Sequence, residues 1–311
     1  MTLAPRALPL LAAMVLAASC ASAPVATAGL PSASPAAASP SLAPTPTPTA
    51  SPSETPVPSA SAAPDWSKDP VAADDPGALA QQLVMVEQAI RDPKVTGPHL
   101  VWMGHLEQLI YSRLADYPDW KAQVLAGLTD PERTAVAASL DAGKELRTLQ
   151  GPIPKDLPDW QIVEPAPPEQ LMSYYREAEQ KYGVPWYYLA SINLVESRMG
   201  RIRGLSSGGA QGPMQFIAST WAQYGTGDVN DPHAAILAAG KYLKAAGAPG
   251  DMARALYAYN HAEAYVKAIE GYADVMKADP NAFRGYCGWQ VYFPTKDGPL
   301  LLAVGWKKAD Q

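Results

Sequence analysis

The chain has 311 residues, with 24 basic and 30 acidic side chains and a net charge of −6. Within the first 68 residues the only charges are Arg6 and Lys68 against Glu54 and Asp65, so the acidity belongs to residues 69–311. An acidic surface excludes a general nucleic-acid role, which wants a basic face, and argues against electrostatic steering toward an anionic polymer.

Residues 7–19, "ALPLLAAMVLAAS", form an apolar run after Arg6 that ends in small residues before Cys20. It is short for a membrane span and has the flanks of a secretory signal. "LAASC" resembles a bacterial lipobox, with Ala17 at the usual leucine position and Leu16 one further back. Residues 1–20 are therefore expected to be a signal peptide with lipidation at Cys20, placing an extracytoplasmic protein on a membrane; plain secretion is the alternative. Residues 21–68 are Ala, Ser, Pro and Thr with few charges. Such a segment buries too little apolar surface to offset its ordering entropy and reads as a disordered linker.

Helical patterns come next. Asp75-Pro76, Asp130-Pro131 and Asp231-Pro232 each read as an N-cap followed by proline at the first helical position. Leu79, Leu83, Val86 and Ile90 make one stripe, and further helices run through residues 99–117, 119–128 and 131–149, giving a small helical domain over 69–150. Residues 151–168 hold six prolines and read as a surface connector rather than an element. A second helical region, 169–280, opens with Leu171, Tyr175, Ala178 and Tyr182 on one face and Gly183 as the stop. Pro185 starts a helix through Glu196, and Pro213 one through Trp221. Asp231 and Asp251 cap two more, and residues 262–278 supply the last. In the C-terminal extension, 281–311, "YCGWQVYF" and "PLLLAVGW" read as two strands joined by a turn. The one cysteine beyond the leader, Cys287, can form no internal disulfide and reads as packing.

Glu196 sits in the last turn of its helix, where the macrodipole disfavours a carboxylate, and shares a face with Leu189, Ile192 and Asn193. Partial burial and the dipole both raise a carboxyl pKa, the property of a general acid that holds its proton near neutrality. By itself Glu196 also fits an ordinary solvated helix end. The loop behind it, "GLSSGGAQGPMQF", has four glycines between 204 and 212, which allow a backbone to approach a polar ligand closely.

Three ordered motifs resemble the soluble lytic transglycosylase family, peptidoglycan-cleaving enzymes with a lysozyme-like fold. "YGVPWYYLASINLVES" resembles the helix that ends in the family's catalytic acid, and "SSGGAQGPMQF" its Ser-x-x-Gly-Ala-x-Gly-Leu-Met-Gln motif. "ALYAYNHAEAYV" resembles the Ala-Tyr-Asn motif that closes the cleft. The chain departs from the pattern at Pro213 for Leu, at one extra residue between Glu196 and Ser206, and at His261-Ala262 after Asn260. The resemblance implies a mainly α fold, with a lysozyme-like catalytic domain preceded by a small helical domain and followed by a β-hairpin. It implies Glu196 as the acid. Ser197, Ser206, Gln211, Met214, Gln215, Tyr259 and Asn260 become substrate-binding positions, Asn260 being the most structural of them.

Ordinary glycosidases use two carboxylates across the scissile bond. Here no second acid reads well: Asp231 is a better cap, and Glu263 and Glu270 have solvent-face spacing. The mechanism the resemblance implies needs one. Glu196 protonates the oxygen between N-acetylmuramic acid and N-acetylglucosamine, then takes the proton of the muramoyl 6-hydroxyl as it attacks C1, leaving a 1,6-anhydromuramoyl end. A hydrolytic muramidase and a non-catalytic wall-binding scaffold are the alternatives. The expected partner is the peptidoglycan glycan strand. His99, His105, His233 and His261 lack metal-binding spacing, and no phosphate-binding glycine motif appears, so neither metal nor cofactor is expected.

Overall fold

A computed structural model describes residues 65–308. The expected signal peptide, lipidation at Cys20 and the linker up to residue 64 lie outside the described residues. The fold is mostly helical. Its first part comprises α1 (Pro76–Arg91), α2 (Gly97–Asp116), a 3-10 turn at Pro118–Trp120 that runs into the short α3 (Lys121–Leu125), and α4 (Asp130–Thr148). After a two-residue strand β1 (Gln161–Ile162) come α5 (Pro168–Tyr182), α6 (Trp186–Ser197) and β2 (Ile202–Arg203). The rest is α7 (Ala218–Tyr224), α8 (Pro232–Ala246), α9 (Met252–Tyr259), α10 (Glu263–Ala278), α11 (Ala282–Cys287), β3 (Val291–Thr295) and β4 (Gly298–Leu302). No helix among the described residues is long and apolar enough to cross a membrane.

The caps explain several of these boundaries. Asp75 and Asp231 accept the backbone N–H groups of Ala78 and Ala234 at 2.9 and 2.7 Å, as their Asp-Pro pairs lead one to expect. Asp130 does not cap. The cap of α4 is Thr129, whose N–H donates to Glu132 Oε2 at 2.9 Å, because a glutamate three residues in completes a reciprocal box that Asp130 cannot. Gly183 closes α5 in the left-handed region at φ 75°.

One buried apolar cluster runs from Ala72 to Trp289 and takes in the helices on both sides of the proline-rich connector. α4 lies along α10 so closely that a β-carbon at Gly271 would stand 3.0 Å from that of Ala142. α2 and α11 approach closer still, since a β-carbon at Gly104 would meet the carbonyl oxygen of Gly285 at 2.1 Å. At the centre stands α6, packed by α5, α8, α10 and α11 and buried from Leu189 to Ser197. The lysozyme-like part is thus built around the helix that carries Glu196.

Two expectations need correction. The connector contains an element: Gln161–Ile162 pairs antiparallel with Ile202–Arg203. Trp160 and Ile162 form a second buried cluster with Ile202, Val291, Phe293 and Leu302. Apolar residues that find partners in a distant hairpin override the prolines around them. The first strand of that hairpin begins at Val291, not in "YC", because Tyr286 and Cys287 close α11. β3 and β4 pair antiparallel from Val291–Leu302 to Thr295–Gly298.

Where α1, α2 and α11 meet, two carboxyl groups are buried together. The Tyr111 hydroxyl lies 3.2 Å from Glu87 Oε1 and 3.3 Å from Glu107 Oε1, Trp289 Nε1 donates to Glu107 Oε2 at 2.8 Å, and Arg91 pairs with Glu87 at 2.6 Å. One hydroxyl proton serves one carboxylate, so the second carboxyl is satisfied best when protonated. Burial raises both, Glu107 well above the usual range. A carboxyl raised on folding contributes stability that is complete below its unfolded pKa and is lost as pH rises through the folded one. The expected result is a thermal midpoint that falls from pH 5 to pH 8.5 and falls less in Glu107→Gln, read by calorimetry across that range.

Candidate active site

α6 ends one residue after Glu196 because the chain turns left-handed three times in succession, at Arg198 (φ 53°), Met199 (φ 62°) and Gly200 (φ 89°). The Met199 N–H returns to Asn193 O at 3.1 Å and the Arg198 N–H to Leu194 O at 3.2 Å, which closes the helix. Two consecutive non-glycine residues in that region are strained, and the burial of both holds them there.

Glu196 is 3% exposed. Tyr265, at the start of α10, donates its hydroxyl to Glu196 Oε1 at 2.8 Å, and no hydrogen bond to Oε2 is formed among the described residues. Burial pushes the Glu196 pKa up to about 8, against a smaller downward pull from the Tyr265 hydrogen bond. No second carboxylate acts on it among the described residues. Where the sequence predicts partial burial, the structure has Glu196 buried whole. Tyr265→Phe removes the one group that favours the charged form, so the Glu196 carboxyl should titrate higher still. Carbon-13 NMR of the labelled side chain checks this, and an unchanged or lower titration point would contradict it.

Pro213 does not start a helix. Residues 211–216 form a tight turn closed by paired backbone bonds between Gln211 and Phe216, and α7 begins only at Ala218. A helix cannot run through Gly212 at φ 78° and Gln215 at φ 50°. Two hydroxyls latch this turn beside Glu196: Ser197 Oγ donates to the Pro213 carbonyl at 2.5 Å, and the Tyr259 hydroxyl to the Met214 carbonyl at 2.6 Å. Both protons are spent inside the protein. Met214 is fully buried. Gln215 is nearly so; its Nε2 donates to Gly212 O at 2.9 Å while its Oε1 lacks a partner among the described residues. Ser206 accepts the Ala210 N–H on Oγ at 2.8 Å and so closes the glycine loop on itself. Asn260 is buried at the end of α9, where its N–H returns to Leu256 O.

Tyr259 and Tyr265 stack in parallel with ring centres 6.5 Å apart, and Tyr242 and Phe216 meet Tyr259 at 5.4 and 6.1 Å, so an aromatic wall backs the carboxyl. The structure therefore gathers Glu196, Ser197, Met214 and Tyr259 into one bonded unit, joined by the turn carrying Gln211 and Gln215. Tyr265 is the residue that sequence reasoning missed. It reads as part of the apolar stripe of α10 with Val266 and Ile269; the available signal was a buried phenol, which needs a hydrogen-bond partner.

Elsewhere the titratable groups serve packing. His105 Nε2 meets the Tyr292 hydroxyl at 2.7 Å and burial lowers its pKa to about 4, while His233 pairs with Glu177 at 2.8 Å. No group of three or more His, Cys, Asp or Glu among the described residues is placed to hold a metal ion.

The order of the acid helix, the latched turn and the tyrosine helix agrees with one comparison. Residues 173–279 match the transglycosylase SLT domain. The match takes in every candidate site residue except Cys20. It indicates a glycosidic-bond-cleaving enzyme of transglycosylase type acting on peptidoglycan. Comparison with curated proteins and with solved structures returns no match. The SLT domain here is thus defined by its family model and by the geometry around its buried acid.

Proposed function

We propose that the SLT domain is a lytic transglycosylase in which Glu196 alone serves as acid and then base. What supports this reading is a buried carboxyl whose pKa is pushed up to about 8, with one oxygen held by Tyr265 and no second carboxylate acting on it among the described residues. A neutral acid is what protonates a leaving oxygen. In the proposed step the Glu196 proton passes to the glycosidic oxygen after muramic acid C1, and that C–O bond breaks. The muramoyl 6-hydroxyl oxygen bonds to C1, and its proton returns to the Glu196 carboxylate. Atoms balance without water, so no second carboxylate is required, and the attacking oxygen is already tethered to the reacting carbon. Tyr265 supports the charged interval by donating to Oε1. Gln215, on the latched turn beside Glu196, is proposed to help position the sugar. Ser197 and Tyr259 act through the turn they hold.

Mass spectrometry of fragments released from purified sacculi tests the proposal. Anhydromuramoyl ends, lighter by one water than reducing ends, are expected. Reducing ends would make the protein a hydrolytic muramidase, and binding without release a scaffold. An extracytoplasmic, lipid-anchored location is proposed on the apolar run before Cys20, and incorporation of labelled palmitate that is lost in Cys20→Ser tests it.

A further inference from the structure

The SLT match covers residues 173–279, yet the turn that follows Glu196 is held from outside it. Arg198 and Met199 stand left-handed two and three residues beyond the acid, a conformation that persists only where the surroundings over-determine it. Side chains leaving this turn converge on one buried residue, Trp289. The Arg198 guanidinium lies 5.8 Å from the centre of the Trp289 ring, while its Nη1 donates to Leu194 O at 2.7 Å. Arg201, equally buried, donates Nε to Trp289 O and Nη2 to Cys287 O, both at 3.0 Å. Trp289 also touches the other helix of the site. Its ring meets Tyr272 edge-on at 6.0 Å, and Tyr272 follows Tyr265 by seven residues, two helical turns along the same face of α10. One indole thus backs both the chain that carries the acid and the helix that carries its hydrogen-bond donor.

Trp289 is itself held by α2, in the first part of the fold. Glu107 Oε2 accepts its indole N–H at 2.8 Å, and both residues are buried. An indole has a single donor, so this bond sets which edge of the ring turns to α2 and which face meets Arg198. The next residue of α2 extends the grip: Gln108 accepts the Gln290 N–H on Oε1 at 2.7 Å and donates Nε2 to the Gln290 carbonyl at 3.0 Å. A separate module would meet its neighbour across a small polar surface. Here the backbones themselves meet, since a β-carbon at Gly104 would stand 2.9 Å from the α-carbon of Gly288. We propose that Trp289 is a positioning residue for Glu196 and that α2, through Glu107 and Gln108, is the frame that holds it. The helices before the SLT match then belong to the catalytic unit rather than to a separate wall-binding module. The proposal rests on the reading of this protein as a peptidoglycan-cleaving enzyme, and deepens it.

Two measurements on the full chain test it, at a temperature where circular dichroism shows each variant folded. The first is steady-state turnover of soluble, uncrosslinked glycan strands. Trp289→Phe keeps an aromatic ring beside Arg198 but offers no N–H to Glu107. Its kcat is expected to fall about tenfold with KM within about twofold, because the acid is displaced while the sugar contacts remain. Glu107→Leu should give the same split from the other end of the bond. Glu107→Gln, whose amide oxygen accepts the indole N–H, should restore most of kcat, and the two Glu107 variants decide alone if Trp289→Phe does not fold. Leu125→Ala opens a cavity on α3, which packs chiefly on α1, and controls for lost stability: its thermal midpoint should fall and its kcat should not. The second measurement is carbon-13 titration of the Glu196 carboxyl. It should titrate lower in Trp289→Phe and in Glu107→Leu, since a loosened turn admits water to the carboxyl, and as in the unmodified protein in Glu107→Gln. An unchanged kcat or an unchanged titration in Trp289→Phe and Glu107→Leu, or an equal loss of kcat in Leu125→Ala, would overturn the proposal. If the unmodified protein cuts no strands, the enzymatic reading fails by itself, and the titration still decides whether Trp289 positions Glu196.

Discussion

Glu196→Gln is expected to lower turnover of sacculi by about 10³-fold or more, since a positioned general acid contributes roughly 10²–10⁴-fold and here the same side chain acts twice. The amide keeps the shape and accepts the Tyr265 hydroxyl on its oxygen, so loss of activity with an intact fold isolates the proton. Fragment release by this variant at more than a few per cent of the unmodified rate would remove Glu196 from the mechanism.

The same substitution is expected to raise stability, and the pH dependence identifies the cause. With a folded pKa of about 8 against 4.5 in the free side chain, the carboxyl keeps its proton in the native state over a range where the unfolded chain loses it. The native state is therefore penalised progressively as pH rises from 4.5 toward 8. Each pKa unit corresponds to about 1.4 kcal/mol, so the advantage of glutamine over glutamate should grow by about 3 kcal/mol between pH 5 and pH 8. Part of it is offset by an amide N–H₂ that lacks an acceptor, about 1–3 kcal/mol and independent of pH. Denaturant titration of both proteins at pH 5 and pH 8 measures the growth directly. A constant difference would mean that Glu196 is ionised in the folded protein at neutral pH. That outcome would also remove the acid required by the proposed step, so a functional site is tested by a stability experiment.

The fold was legible where a local signal had a local cause. Asp75 and Asp231 cap as their Asp-Pro pairs indicate, and the stripe Leu79, Leu83, Val86 and Ile90 is buried throughout. Glu196 stood out because a charged group in the last turn of an apolar helix breaks two local rules at once. What escaped were features whose cause lies far along the chain. Trp160 and Ile162 gain meaning only against Val291 and Phe293, more than a hundred residues on. The packing of α4 on α10 depends on Ala142 and Gly271 being small at the same height, which neither segment shows alone. The burial of the helix that carries Glu196 comes likewise from four surrounding helices, and its partner Tyr265 is hidden in a stripe that any core helix would show. At Pro213 the local signal misled, because proline suits a turn as well as a helix start and the left-handed backbone on either side decided between them.

That backbone yields the second large effect. Gly212 and Gly209 lie in the same loop at nearly the same φ, 78° and 76°, yet they differ in what surrounds them. A β-carbon at Gly209 meets nothing within 4 Å, whereas at Gly212 it would stand 2.1 Å from the carbonyl oxygen of Val229. Gly209→Ala carries only the left-handed penalty, about 1–2 kcal/mol. Gly212→Ala carries that penalty and must also displace a backbone carbonyl, which adds about 1–3 kcal/mol by analogy with overpacked cores. The strain falls on the turn whose carbonyls at Pro213 and Met214 bind Ser197 and Tyr259. The expected outcome is a stable Gly209→Ala enzyme with activity within a few-fold of normal, and a Gly212→Ala enzyme destabilised by about 3 kcal/mol or more. In the latter, turnover should fall at least tenfold even at temperatures where it is fully folded, because a latch displaced by a few tenths of an ångström moves the wall facing the acid. Thermal denaturation and sacculus digestion on the two variants side by side separate the effects. Equal losses in both would assign the cost to the loop's backbone alone and leave the latched turn without a part in positioning Glu196.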